Sequence, residues 1–161
     1  ERMVREQKTL YGLDYTIIRP SALYGIRCIS GRVSQKFIEN ALSNKPLLLE
    51  GGGKGMLDFT HIDDLVEGII RSIIYKNGLS RTFNITYGNA RYIKELAEII
   101  QKLIPNVTIK EGPEAKEKPV RGTLKIGRAK KFLDFYPSRP LESGYLEYCK
   151  YYIKSWEKAK N

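Results

Sequence analysis

The chain has 161 residues, 42% of them hydrophobic, which is enough for one globular domain with a real core and too much for a disordered tail. Charges interrupt every long apolar stretch, which excludes a transmembrane helix or a signal-peptide core and implies a cytoplasmic protein. The net charge of +10, from 28 basic and 18 acidic residues, fits either solvated helix faces, as on a lysine-rich thermophile surface, or an anionic partner.

In chain order, Arg2 to Leu10 has the pattern of the end of a helix, closed by Gly12, which can take the left-handed conformation. DYTIIRP is a strand stopped by Pro20. Residues 33–43 put Val33, Phe37, Ile38, Ala41 and Leu42 on one helical face, and PLLLEG at 46–51 is a short buried strand. The glycine cluster GGGKG at 51–55 has the composition of a hairpin turn, and LDFTHI after it is another strand. HIDDLVEGIIRSII is a helix with Asp63 or Asp64 as its N-cap. Its apolar stripe, Leu65, Val66, Ile69, Ile70, Ile73 and Ile74, implies burial against something large. TFNITYG, YIKELAEIIQKLI and VTIKEG follow as strand, helix and strand, and RAKKFLDF and Leu141 to Trp156 close the chain as helices.

Strand and helix alternate, so the class is α/β. DYTII and TFNIT have the nearly continuous apolar character of parallel strands covered on both faces, yet two strands do not make a stable open sheet. A nucleic-acid module would gather cations in a run with interleaved aromatics; only EAKEKPVRG comes near, and it carries two glutamates, so no nucleic acid and no membrane is expected as a partner. Cys28 and Cys149 show no CxxC spacing, and His61 is the sole histidine, which argues against a disulfide scaffold and a metal site.

RPSALYG, RVSQKFIENALSNKPLLLEGGGKGMLDFTHIDDLVEGI, TFNITYGNARYIKELAEII and PVRGTLKIGRAKKFLDFYPSRPLESGYLEY, in that order, resemble the C-terminal half of the extended short-chain dehydrogenase/reductase family. These are the NAD-dependent nucleotide-sugar epimerases and dehydratases typified by UDP-glucose 4-epimerase. The resemblance implies that residues 1–25 and 58–90 are the last elements of a Rossmann-type parallel sheet. Residues 26–57 and 91–161 would then form a small substrate-binding region. It also implies that the N-terminal half, with the dinucleotide loop and the Tyr-x-x-x-Lys pair, is absent and that NAD is bound mainly there.

By the same resemblance Pro20, Ser21 and Ala22 pass the nicotinamide end of NAD, though a plain strand end and turn explains them equally well. Arg121 matches an arginine that holds the substrate diphosphate, a task suited to its planar fork of donors. Leu48 and Leu49 match a strand whose backbone reads the uracil edge, and Val33 matches the start of the helix bordering the nucleotide. No catalytic residue is assigned. Ala22, Glu50 and Leu57 depart from the family's sugar-binding Asn, base-stacking aromatic and second phosphate-binding Arg, which leaves the sugar open. Two readings follow: the substrate-binding portion of a nucleotide-sugar epimerase or dehydratase, inactive alone, or a non-catalytic binding module derived from one. The first expects its apolar face to meet the missing Rossmann half or a second copy of itself.

Overall fold

The computed structural model describes residues 1–28, 31–113 and 119–159; the first five residues of the basic stretch EAKEKPVRG thus lie outside the described residues. The first helix, α1 (Arg2–Tyr11), ends where Gly12 takes φ 70° and its N–H returns to the Lys8 carbonyl. β1 (Thr16–Arg19) stops at Pro20, which has no N–H to continue a ladder. β1 pairs in parallel with β6 (Arg81–Asn84), Ile18 opposite Phe83.

Three further pairs complete the strands among the described residues. β2 (Ala22–Tyr24) runs parallel to β5 (Phe59–His61), and β3 (Leu47–Glu50) runs parallel to β8 (Ile109–Gly112). β4 (Met56–Leu57) lies antiparallel to β7 (Arg91–Tyr92). The class is α/β, as the alternation predicts, but two local expectations change. GGGKG is not a hairpin turn, because the strands on either side of it belong to different pairs. Gly51, Gly52 and Gly53 form one 3-10 turn with φ of 56°, 63° and 69°, a conformation that only glycine holds without strain, and a Cβ on Gly53 would sit 2.9 Å from the Lys94 side chain. LDFTHI is not one strand but two, broken at Asp58.

The main core joins α2 (Val33–Leu42), α4 (Ile93–Leu103) and α6 (Leu141–Lys158) over β3 and β5, through Phe37, Ile38, Leu47, Leu96 and Ile100. Tyrosines at helical spacing on α6 stack into it: Tyr145 on Tyr24 at 5.8 Å, Tyr148 on Tyr145 at 6.2 Å and Tyr152 on Tyr148 at 6.0 Å between ring centres. Tyr145 donates to the Ser34 carbonyl at 2.7 Å and Tyr152 to Glu39 at 2.6 Å, so α6 holds α2 by both rings and hydroxyls. Burial raises the pKa of Tyr145, so this buried hydroxyl keeps its proton and its donor role.

A smaller core lies under α3 (Ile62–Ile74) and α5 (Gly127–Leu133), built on Leu65, Phe83, Ile85, Leu133 and Phe135. This core does not cover the apolar stripe of α3. α3 buries Asp64, Leu65, Gly68 and Ser72, while most of its isoleucine stripe faces outward, Ile73 being 76% and Ile74 64% exposed. The inner face is narrow because Gly68 lets the helix approach Ile85 closely; a Cβ there would lie 2.2 Å from the Ile85 Cγ2. The N-cap is His61, whose Nδ1 accepts from the Asp63 N–H at 3.2 Å, and not either aspartate. Asp64 instead accepts from the Ser138 N–H at 2.8 Å and the Arg139 N–H at 3.2 Å, tying α3 to the segment that enters α6.

Candidate functional site

Beyond the carboxyl end of β1 a cleft of about 810 Å³ opens between three stretches of chain. Pro20 to Leu23 form its floor, Arg32 to Ser34 bring in the first turn of α2, and Val120 to Leu124 line it as a strap outside any helix or strand. Leu57, Asp58 and Phe59 complete the lining. Five of the residues singled out from sequence, Pro20, Ser21, Ala22, Val33 and Arg121, are therefore brought together. Leu48 and Leu49 do not line this cleft: Leu49 turns into the main core at 8% exposure and Leu48 is 52% exposed on the other side of β3.

The electrostatic character of the cleft comes from two arginines. Arg32 is the N-cap residue of α2, so its guanidinium adds to the partial positive charge of the helix start. Arg121 is exposed on the strap and has no ion pair among the described residues. The one carboxylate in the lining is Asp58, 1% exposed and already engaged by three hydrogen bonds, from Thr86 Oγ1 at 3.1 Å, the Leu124 N–H at 3.1 Å and the Gly88 N–H at 3.0 Å. A carboxylate satisfied by donors on its own protein does not compete with a ligand for the arginines. Leu57 adds an apolar side chain to the lining.

Sequence reasoning missed Arg32, Asp58 and Thr123. Asp58 did carry a signal: a carboxylate inside an apolar strand pattern is tolerated only when donors converge on it. Arg32 and Thr123 look like ordinary loop residues in one dimension.

Fold and cleft together define an α/β protein with short parallel strand pairs and a groove lined by two arginines at a strand's carboxyl end. The model of the NAD dependent epimerase/dehydratase family matches residues 1–86, more than half of the chain, and the chain belongs to that family. UDP-glucuronic acid decarboxylase 1 of Arabidopsis thaliana is 30% identical over 136 residues, 83% of this chain and 31% of its own length. UDP-glucuronate 4-epimerase of Thermodesulfobacterium geofontis is 31% identical over 137 residues, 84% of this chain and 42% of its own. The UDP-glucuronic acid 4-epimerase of Bacillus cereus, solved with UDP-glucuronic acid and NAD, superposes with a TM-score of 0.87 at 22% identity over 96% of this chain and 50% of that one, a likeness of fold. The chain thus spans about a third of the first curated relative and half of that solved structure.

Proposed function

We propose that this chain is the substrate-binding portion of an NAD-dependent nucleotide-sugar epimerase or decarboxylase and that its cleft holds a nucleoside-diphosphate sugar. The observation that carries this is the presence of Arg32 and Arg121 in one cleft with no free carboxylate among its lining residues. Arg121 binds the diphosphate, because a guanidinium bonds two phosphate oxygens at once. Arg32, at the start of α2, supplies the second cation, where Leu57 leaves an apolar wall. A uronate is the first sugar to test: both curated relatives named above act on UDP-glucuronate by name, and a sugar carboxylate gives a third charge for the two arginines to share.

NAD meets this chain at Pro20 to Ala22. Its pyrophosphate needs a glycine turn opening directly onto a helix, whereas GGGKG here leads into β4, so those three residues border the nicotinamide end and no more. The bound cofactor supplies hydride transfer, and the residues here bind and orient the sugar nucleotide. The cofactor-binding half packs on the outward isoleucines of α3 and on Met3, Leu10 and Tyr11 of α1, which are 78%, 68% and 69% exposed.

Titration calorimetry of the chain with UDP tests the reading. Arg121→Ala and Arg32→Ala should each weaken UDP by about 10- to 100-fold, the scale of a lost charge-assisted hydrogen bond. Uridine, which lacks the phosphates, should bind the variants and the unaltered chain alike. UDP binding that survives both substitutions unchanged would refute the assignment.

A further inference from the structure

We infer that Asp58 is a positioning residue for the ligand site: it fixes the strap so that Arg121 faces the cleft. The inference rests on the reading of Arg121 as the diphosphate ligand. Three successive residues, the last two of the strap and Lys125 after it, are pinned. The Leu124 N–H donates to Asp58 Oδ2 at 3.1 Å, the Thr123 hydroxyl accepts from the Ala90 N–H at 2.9 Å, and the Lys125 carbonyl accepts from Asn84 Nδ2 at 2.9 Å. Upstream of these clamps the strap is open: Val120 is fully exposed, and nothing lies within 4 Å of a Cβ built on Gly122.

Arg121 therefore hangs three residues from the Asp58 clamp, a reach of about 10 Å at most in extended chain. Asp58 is itself held from the other side. Its remaining contacts, Thr86 Oγ1 and the Gly88 N–H, come from the loop after β6, and the neighbouring Thr60 hydroxyl accepts from the Tyr87 N–H at 3.0 Å. One buried carboxylate thus ties the loop leaving the β1–β6 pair to the strap bearing Arg121. A charged acceptor suits this task because it takes several backbone donors at once and binds each more strongly than a neutral one.

The test is a double-mutant cycle read by UDP titration. Asp58→Asn keeps one oxygen but turns the other position into a donor facing donors. UDP affinity should fall about tenfold in the Asp58→Asn chain and be unchanged by the same substitution in an Arg121→Ala background. A merely structural role would lower thermal stability and weaken UDP equally in both backgrounds, and that result overturns the proposal. If Asp58→Asn does not fold, Thr123→Val, which removes the Ala90 clamp without disturbing a buried charge, carries the same cycle with the same criterion. Trypsin supplies a readout without ligand: cleavage after Arg121 should speed up several-fold in either clamp variant relative to cleavage after Lys158, and an unchanged ratio overturns the clamp. If Arg121→Ala itself leaves UDP binding intact, the diphosphate reading is what fails, and the cleavage ratio still judges the hold of Asp58 on the strap.

Discussion

Gly68→Ala is the sharpest test of how α3 is seated. In an exposed helix interior this change would stabilise by about 1 kcal/mol through propensity. Here the added Cβ would lie 2.2 Å from Ile85 Cγ2, 3.2 Å from its Cδ1 and 3.3 Å from its Cβ, and Ile85 is fully buried. To reach the ~3.5 Å optimum the two must part by about 1.3 Å. Cγ2 sits on the branched Cβ, so a terminal rotation cannot relieve the contact, and the helix or the β6 loop has to move. Overpacking of this severity costs about 3 kcal/mol, so the net effect should be a loss of roughly 2 kcal/mol after the propensity gain. In thermal unfolding that is a fall in Tm of about 4–8 °C for a chain of this size. Ile85→Ala removes the obstructing methyl, so the double variant should be more stable than the sum of the single effects predicts, by about 1 kcal/mol or more. A Gly68→Ala chain as stable as the original would show that α3 does not approach β6 this closely, and the outward orientation of its isoleucines would fall with it.

Two further outcomes follow from titratable groups. Burial pushes the Cys149 thiol up to about 12, leaving roughly one thiolate in 10⁴ at pH 8, whereas Cys28 is only half-buried, so iodoacetamide should modify Cys28 in the native chain and leave Cys149 intact until unfolding; modification of Cys149 at a similar rate refutes its burial. Arg91 is hydrogen-bonded to both Glu95 and Glu142, joining β7, α4 and α6. Its hydrogen bond holds Glu142 below the usual 4.5; for Glu95 burial pulls upward, but Arg91 and the Tyr92 N–H outweigh it and the net direction is also down. Both carboxylates bind protons more readily in the unfolded chain, so their contribution is present above about pH 4.5 and is lost as pH falls through their lower folded values. Tm measured from pH 6 to 3 should therefore drop more steeply for the original chain than for Arg91→Met; parallel slopes would refute the linkage.

The parts of the fold legible in the sequence are those governed by signals a few residues apart. Gly12 after an amphipathic run, Pro20 after TIIR and the helical spacing of Phe37, Ile38 and Ala41 each fix a boundary or a face by local sterics, and the structure follows them. Partners of strands were not legible in this way. LEGGGKGML has the local composition of a hairpin, yet β3 takes β8 as its partner, about 60 residues away, because a parallel pairing is decided by what packs on the strands and not by the turn between them. The seating of α3 was not legible for a related reason. Periodicity reveals that a helix has an apolar face, but the side that meets the β1–β6 pair was set by the glycine that permits close approach, so Gly68 and Ser72 went inward and Ile70, Ile73 and Ile74 remained outside.

The cleft shows the same division at the level of chemistry. Pro20, Ser21, Ala22, Val33 and Arg121 could be named because each sits in a stretch with family character, and they converge from segments about 100 residues apart. What holds them in register could not be named, because Asp58 acts through backbone N–H groups of Gly88 and Leu124, which every residue but proline possesses and no sequence pattern marks.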